Sequence, residues 1–267
     1  MKLFFAYLPS VFLALIFTSC ATNPYAATNR AYKNQSRQLA KTVRRLPVLP
    51  TTKTWVGTTN FGLRKPNYVV IHHTAQNSAN QTLKTFTVPG SQVSAHYVIA
   101  RDGKIYHMLN DYLRAWHGGA SKWGNATDIN SSSIGIELDN NGFEAFAEPQ
   151  ISSLIQVLAT LKKDYSIPTA NFIGHSDIAP GRKVDPNANF PWEELAENGY
   201  GLWPDSLLDS VPASFVPAEA LRIIGYDVQN LDFAVRSFKL HFIQNDISPY
   251  LNEYDKQVLF NLYKKYL

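Results

Sequence analysis

The sequence predicts an α/β protein, with a central mixed β-sheet flanked by helices and a small helical domain at the C-terminal end. Short runs of β-branched and aliphatic residues, such as residues 68–72, are typical of strands that are covered on both faces. A segment with helical periodicity lies between two of these runs, and only helical segments follow residue 205. A sheet covered on both faces buries its apolar residues against helices, which gives this architecture.

The predicted strands all lie between residues 56 and 205. They are residues 68–72, 95–100, 104–108, 134–138 and 171–175. Asp102-Gly103 separates the second strand from the third and predicts a hairpin, because this dipeptide favours a tight turn with positive φ. Between the fourth and fifth strands, apolar residues with helical spacing predict an amphipathic helix that ends near Tyr165. Its apolar positions are Ile151, Leu154, Ile155, Leu158 and Leu161.

The C-terminal part, residues 206–267, is predicted as a separate helical domain. It follows a Gly- and Pro-containing break at residues 199–205 and contains three helical segments, residues 217–225, 231–244 and 253–266. About sixty residues of helix bury only a marginal core by themselves. We therefore expect this domain to pack on the first one.

The N-terminus has the features of a secretion signal over residues 1–19. A positively charged start is followed by an apolar stretch, residues 3–17, which is shorter than a bilayer span of about twenty residues. Thr18 and Ser19 precede Cys20 in a pattern similar to the lipobox of bacterial lipoproteins. That similarity implies cleavage before Cys20 and a lipid anchor on it. An ordinary signal peptide with an incidental cysteine is the alternative.

The net charge of +4 conceals an uneven distribution. No acidic residue precedes Asp102, and we interpret residues 20–55 as a lipidated N-terminus followed by a basic, mostly extended linker. Such a linker beside a lipid anchor can contact anionic lipid or the cell wall, and a simple solvated tether is the alternative. Nucleic-acid binding is not expected, because the positive charge lies in the linker without a recognition motif. Cys20 is the single cysteine, so the folded part contains neither a disulfide nor a thiolate ligand.

Side chains that bind metals lie in three distant segments. His72 and His73 end the first strand, Glu137 lies near the end of the fourth, and His175 and Asp185 follow the fifth. Imidazole and carboxylate ligands at strand ends on one edge of a sheet suit zinc better than calcium or magnesium. We therefore predict a zinc site with three protein ligands and one open position, which is typical of hydrolases. Adjacent strand residues point to opposite faces, so only one of His72 and His73 is expected to be a ligand, and the pattern leaves the choice open.

Five segments of the chain resemble the zinc-dependent N-acetylmuramoyl-L-alanine amidases, the amidase-2 family, and within it the outer-membrane lipoprotein amidases of the AmiD type. They are residues 71–75, 94–97, 115–119, 133–137 and 175–185, in the family's order. The resemblance covers about residues 55–205 and implies that residues 56–205 form a zinc amidase catalytic domain. Residues 206–267 resemble the peptidoglycan-binding-like domain of that subgroup less specifically.

The resemblance implies a role for each matching residue. His72, His175 and Asp185 correspond to the ligands of a single Zn²⁺. Glu137 corresponds to the catalytic glutamate and Lys183 to the catalytic lysine. A strand-end carboxylate paired with a lysine is the alternative for Glu137, and an ordinary surface lysine is the alternative for Lys183.

Three further residues are expected at the substrate cleft. Trp116 and His117 suit contacts with sugar and peptide, and Arg182 suits a carboxylate of the stem peptide. A core position is the alternative for Trp116, and an exposed side chain without a role is the alternative for Arg182.

The activity that the resemblance implies is hydrolysis of the amide bond between N-acetylmuramic acid and L-alanine in peptidoglycan or muropeptides, during cell-wall turnover or recycling. A non-catalytic peptidoglycan-binding lipoprotein is the alternative, and the presence of all five matching residues argues against it. The large class of zinc peptidases with a His-Glu-x-x-His helix is excluded, because the motif is absent. We expect a monomer that lipid at Cys20 holds on the periplasmic side of the outer membrane of a Gram-negative bacterium, and Ala21 after the cysteine agrees with this.

Overall fold

The computed structural model describes residues 23–44, 58–60 and 62–267, and the chain divides into two units, residues 1–59 and 60–267. The predicted secretion signal and Cys20 lie outside the described residues. Within the described ranges, no helix is both long enough and apolar enough to cross a bilayer.

The first unit contains helix α1, Ala26–Arg44, in a region where the sequence predicts a mostly extended linker. That prediction was wrong for these residues. The segment has no Gly or Pro and is rich in Ala, Gln, Lys and Arg, which favour helix. It lacks apolar periodicity because it buries none of its residues. Its basic side chains recur at spacings of three and four, which places them on one face: Arg30, Lys33, Arg37, Lys41 and Arg44.

The second unit is built on a five-stranded sheet. Its strands are β1 (Tyr68–His73), β2 (Tyr97–Ile99), β3 (Ile105–His107), β4 (Ser133–Leu138) and β5 (Phe172–Gly174). Their order across the sheet is β3-β2-β4-β1-β5, with β3 antiparallel to β2 and the other neighbours parallel. Gly103, in the predicted hairpin between β2 and β3, has a φ of +84°. The mixed sheet and its five strands are therefore confirmed, with boundaries that differ by a few residues.

The described part of this unit also contains eight helices. They are α2 (Ala79–Thr87), α3 (Ile129–Ser132), α4 (Glu148–Tyr165), α5 (His175–Ile178), α6 (Trp192–Glu197), α7 (Pro217–Ile224), α8 (Leu231–Phe242) and α9 (Glu253–Tyr266). Short 3-10 helices span Pro89–Ser91 and Thr169–Asn171. The predicted amphipathic helix is α4, and the three predicted C-terminal helices are α7, α8 and α9.

The sheet shares one apolar cluster with α4 and another with the C-terminal helices. Val69 and Ile71 of β1 belong to the first cluster, together with the buried face of α4. Val70 of β1 and Ile173 of β5 belong to the second, together with buried residues of α7, α8 and α9. Alternate residues of β1 thus serve opposite clusters, as the two-residue period of a strand requires. The expected packing of the C-terminal helices on the sheet is confirmed, and a domain boundary at residue 206 stays a prediction.

The central strand β1 brings the predicted site residues to one edge of the sheet. It pairs in parallel with β4, and the register places His72 beside Glu137. On its other side it pairs with β5, which ends at Gly174, immediately before His175. Because neighbouring parallel strands end at the same edge, these residues come together there.

Candidate active site

Two imidazoles and a carboxylate converge at the carboxyl edge of the sheet. His72 lies near the end of β1, His175 begins α5, and Asp185 lies in the loop that follows α5. His72 Nδ1 and His175 Nδ1 are 2.9 Å apart, and they lie 3.1 Å and 3.0 Å from Asp185 Oδ2. The three residues are buried, with exposed fractions of 1%, 3% and 7%. The predicted ligand set is therefore brought together by the fold.

These three donor atoms fit a metal ion. Ligands that lie about 2.0–2.1 Å from a tetrahedral zinc are about 3.3 Å from one another. The separations of 2.9–3.1 Å between the donors are close to that value. The three donor atoms are buried and lie close together, so they could hold a metal ion.

The geometry separates His72 from its neighbour His73, a choice that strand periodicity leaves open. The two side chains point to opposite faces of β1. His73 Nδ1 accepts a hydrogen bond from the backbone N–H of Asn187, at 3.1 Å, and lies outside the group of convergent donors. His72 is the histidine of this pair that the fold directs to the candidate metal site.

An outer hydrogen bond fixes the tautomer of His175. Its Nε2 lies 3.2 Å from the carbonyl oxygen of Gly118. A carbonyl oxygen only accepts, so the proton is on Nε2 and Nδ1 is left bare for a metal. Metal-bound histidines are commonly oriented by such a bond from the second ring nitrogen.

His117 fixes His72 in the same way. His72 Nε2 donates to His117 Nδ1 at 3.1 Å, His117 Nε2 donates to Ser133 Oγ at 3.0 Å, and Ser133 Oγ donates to the carbonyl of Ile129 at 2.6 Å. All donors in this chain match their acceptors when His72 Nδ1 is bare. The ring of His117 is 8% exposed, lies behind His72 and has both nitrogens bonded, so it orients a candidate metal ligand, and its contact with substrate stays a prediction.

Two residues that position His117 were not given a role in the sequence-based predictions. Gly135 leaves space for its ring, and Asn130 binds its backbone. A Cβ atom on Gly135 of β4 would lie 2.4 Å from His117 Cγ, so only glycine fits at this point of the strand. Asn130 Oδ1 accepts from the backbone N–H groups of His117 and Gly118, at 3.1 Å and 2.8 Å. A glycine inside a buried strand was the available signal, since it commonly marks a close approach of another group.

Glu137 supplies a carboxylate without a hydrogen bond beside the metal donors. Its register with His72 places both side chains on the same face of the sheet. Its Oε2 atom is buried and has no hydrogen-bond partner in the described structure. Burial, and then the negative charge of Asp185, raise the pKa of Glu137 to about 8, although the charge of Lys183 opposes the rise. A carboxyl group with such a pKa exchanges a proton near neutral pH.

The metal donors themselves have pKa values shifted towards the forms that bind cations. Burial, and then the nearby His175, lower the pKa of His72 to about 4, so its ring is neutral at pH 7. Burial alone would raise the pKa of Asp185. Hydrogen bonds from His175 and His72 outweigh it and hold that pKa well below the usual range, so the carboxylate is charged. Metal binding requires neutral imidazole and ionised carboxylate, which is the state found here.

The remaining predicted residues lie around this group. Lys183 is half-buried two residues before Asp185, and its charge acts on both His72 and Glu137. The Arg182 guanidinium donates to the carbonyl oxygens of Gly118 and Ala120, both at 2.7 Å, so it holds the loop that orients His175. The alternative of an Arg182 without a role is therefore wrong, and its contact with a stem peptide stays a prediction.

Trp116 lies on the surface next to the buried His117. Its exposed fraction is 51%, so the alternative of a core position is wrong. Its backbone N–H donates a hydrogen bond to Ser94 Oγ at 2.9 Å. The exposed side chain is available for contact with a ligand, and its place at the substrate cleft stays a prediction.

Comparison with known proteins identifies relatives of this arrangement. The model of the N-acetylmuramoyl-L-alanine amidase family, Amidase_2, matches residues 62–188. The N-acetylmuramoyl-L-alanine amidase AmiD of Escherichia coli K12 is 35% identical over 206 residues, which cover 65% of this chain and 74% of AmiD. The 1,6-anhydro-N-acetylmuramyl-L-alanine amidase AmpD of Haemophilus influenzae is 39% identical over 103 residues, 38% of this chain and 56% of AmpD.

Solved structures show the same fold over most of this chain. AmiD from E. coli, in complex with the substrate anhydro-N-acetylmuramic acid-L-Ala-D-γ-Glu-L-Lys, has a TM-score of 0.69 at 29% identity, covering 79% of this chain and 93% of AmiD. AmpDH3 from Pseudomonas aeruginosa has a TM-score of 0.70 at 28% identity, covering 83% and 99%, and was also solved with anhydromuramic pentapeptide. Because this chain is 35% identical to AmiD over 74% of the length of AmiD, it belongs to the N-acetylmuramoyl-L-alanine amidase family.

Proposed function

We propose that the protein is a zinc-dependent amidase that hydrolyses the bond between N-acetylmuramic acid and L-alanine in peptidoglycan or muropeptides. The observation that carries the proposal is the convergence of His72, His175 and Asp185 beside the unbonded carboxylate of Glu137. Family membership supports it, as does the likeness to AmiD and AmpDH3, whose structures contain muropeptide ligands.

In this proposal His72, His175 and Asp185 would hold one zinc ion, which would supply the Lewis acidity that makes water a nucleophile near neutral pH. Glu137 receives the proton of the attacking water at its carboxylate. It then donates that proton to the nitrogen of L-alanine as the amide bond breaks. A pKa of about 8 suits a group that first receives a proton and then donates it, because the gain and the loss of the proton are both accessible near neutral pH.

Lys183 completes the chemistry by stabilising negative charge. Lys183 is a half-buried residue, and its charge influences Glu137 and His72. We assign it to the carbonyl oxygen of the lactyl group, which becomes negative when water adds. The exposed ring of Trp116 contributes a wall of the cleft for sugar or peptide.

We also propose that the mature protein begins at Cys20, carries lipid there and faces the periplasm from the outer membrane. The support is the Thr18-Ser19-Cys20 pattern followed by Ala21. The basic face of α1 adds to it, because an anionic membrane or wall surface attracts such a helix. Residues 206–267 are assigned as a peptidoglycan-binding-like domain, and the protein as a monomer.

Product analysis tests the proposed reaction. The purified protein is incubated with anhydromuropeptides, and the products are identified by mass spectrometry. We expect free peptides that begin with L-alanine, loss of their release when a chelator is added, and recovery with zinc. His72→Gln should abolish release, whereas His73→Gln is the matched control in the neighbouring position and should keep most of it.

Binding of muropeptides without cleavage, in zinc-loaded protein, would contradict the proposal. It would support a peptidoglycan-binding lipoprotein instead. Cleavage that continues after complete removal of the metal would contradict the assignment of the three zinc ligands.

A further inference from the structure

A buried polar cluster around Asp177 connects the C-terminal helices to α5, the short helix that begins with His175. Asp177 lies in α5, two residues after His175, and is fully buried. Its carboxylate meets three donors from separate parts of the chain. The Gly174 N–H donates to Oδ2 at 2.6 Å, the Tyr226 hydroxyl donates to Oδ1 at 2.8 Å, and His241 Nδ1 lies 2.7 Å from Oδ2.

The two donors from the C-terminal helices are themselves held in place. Tyr226 lies two residues after the end of α7, and its ring contacts Trp123 edge-on at 5.1 Å between the ring centroids. His241 of α8 stacks on Trp192 at 3.8 Å and on Phe242 at 4.0 Å. Burial, and then the charge of Asp177, raise the pKa of Tyr226 well above its usual value, so its hydroxyl remains a donor.

The C-terminal helices also contact the loop that carries Asp185. Gly181 in this loop has a φ of +75°, and a Cβ atom on it would lie 2.3 Å from the Phe233 ring of α8. The loop around Gly118 is tied to the helices as well, because the N–H of Gly124 donates to the carbonyl of Gly225 at 2.7 Å. These contacts restrict the movement of both loops relative to the C-terminal helices.

We propose that the C-terminal helices position the metal ligand His175, with Tyr226 and His241 acting through Asp177. The carboxylate of Asp177 fixes the N–H of Gly174, and Gly174 leads directly into His175. This inference rests on the proposed function, because it takes the convergent histidines and Asp185 as zinc ligands.

The same short helix connects the two halves of the ligand set. The N–H of Ser176 donates to the carbonyl of Asp185 at 2.8 Å, so a shift of α5 moves both His175 and Asp185. Loss of the donor from Tyr226 or from His241 leaves an oxygen of the buried Asp177 carboxylate without a hydrogen bond. We expect α5 to shift in response, because an unpaired buried polar atom is costly. The C-terminal helices thus act inside the metal site, in addition to any contact with the cell wall.

Zinc affinity tests this inference without relying on activity. We would measure it for His241→Phe and Tyr226→Phe by competition with a chromophoric chelator, together with the visible spectrum of cobalt-substituted protein. Each variant keeps an aromatic ring and removes the donor. The zinc dissociation constant should rise roughly tenfold, the lower end of the range for outer partners of metal ligands. The cobalt spectrum should change, and His241→Asn, which returns a donor near the Nδ1 position, should restore affinity.

Lys239→Met is the matched control for a general loss of stability. Lys239 is also fully buried in α8, but its ammonium group pairs with Asp246 and Asp255 rather than with Asp177. This variant should lower the melting temperature and leave zinc affinity unchanged. An equal loss of affinity in Lys239→Met would overturn the inference, because the effect would then follow from stability alone.

Wild-type zinc affinity and cobalt spectra in both donor variants would overturn the inference and leave the proposed function intact. If His241→Phe does not fold, Tyr226→Phe, which loses a single hydroxyl group, decides the question. Failure of the wild-type protein to bind zinc would overturn the proposed function and this inference together.

Discussion

Glu137 and Asp177 are both buried carboxylates near the candidate metal ligands, and the fold surrounds them differently. The Oε2 atom of Glu137 has no hydrogen-bond partner among the described residues. The oxygens of Asp177 accept from a backbone amide, a phenol and an imidazole. A buried polar atom without a partner costs about 1–3 kcal/mol, so such atoms are uncommon in folded proteins.

The difference in hydrogen bonding indicates a chemical role for Glu137 and a structural role for Asp177. A carboxylate that must receive a proton needs a free lone pair, and Glu137 has one beside His72. A carboxylate that joins α5 to the C-terminal helices needs all of its donors, and Asp177 has them. Substitution of each carboxylate by its amide should therefore damage different properties.

The largest effect is expected from Glu137→Gln. The amide cannot receive a proton, so kcat for release of L-alanyl peptides should fall by about 10²–10⁴. Stability should be kept or improved, because an amide carries no charge to desolvate. Kinetics on a purified muropeptide and thermal unfolding check the two statements. Glu193→Gln makes the same change on the exposed surface of α6 and should alter neither property, whereas full activity in Glu137→Gln would remove this carboxylate from the mechanism.

Asp177→Asn should lower the stability of the fold. The amide nitrogen cannot accept from the donors that now surround the carboxylate, so at least one of them is left buried and unpaired. The free energy of unfolding of the metal-free protein should fall by about 3 kcal/mol in urea titrations. Asp164→Asn, at an exposed position of α4, should change it by less than about 0.5 kcal/mol. Equal stability of the two variants would show that the cluster around Asp177 does not hold the fold together.

A smaller effect is expected from pH, through the buried base His96. Its Nδ1 accepts from the N–H of Gly135 and its Nε2 lies 3.0 Å from the carbonyl of Leu113, so the ring is neutral and fully bonded. Burial lowers the pKa of His96 from 6.5 to about 4. The unfolded chain therefore binds a proton between these pH values that the folded chain does not. The stability contributed by the neutral ring is complete above pH 6.5 and is lost as pH falls towards 4.

Urea unfolding of the metal-free protein at pH 8 and pH 5 measures this effect. The shift at His96 alone removes about 2 kcal/mol over that interval. His96→Gln should show a smaller dependence on pH than the wild-type protein. A His96→Gln variant whose stability depends on pH as strongly as that of the wild-type protein would contradict a neutral buried ring.

The sequence was sufficient for the sheet and the donor set, for physical reasons that particular residues show. β-branched runs predicted the parallel strands, and residues at strand ends such as His72 and His175 had to meet at one edge. Periodicity could not choose between His72 and His73, because β1 is buried on both faces. The resemblance to the amidase family indicated His72, and the hydrogen bond from Asn187 to His73 shows the physical difference.

Features that depend on tertiary distances could not be predicted in this way. The bond from His72 to His117 joins residues 45 apart in sequence, and that from His241 to Asp177 joins residues 64 apart. Neither partner carries a local pattern that indicates the other. Helix α1 was missed for another reason: apolar periodicity was the criterion, and this helix buries no residue.

Titration of zinc into metal-free protein tests the central claim most directly, with bound metal and released L-alanyl peptide measured in the same samples. We predict that activity rises with bound zinc and reaches its plateau at one ion per chain, and that His175→Gln removes both the binding and the activity. Amide cleavage that is independent of bound zinc, or tight binding of zinc that survives in His175→Gln, would contradict the site described here.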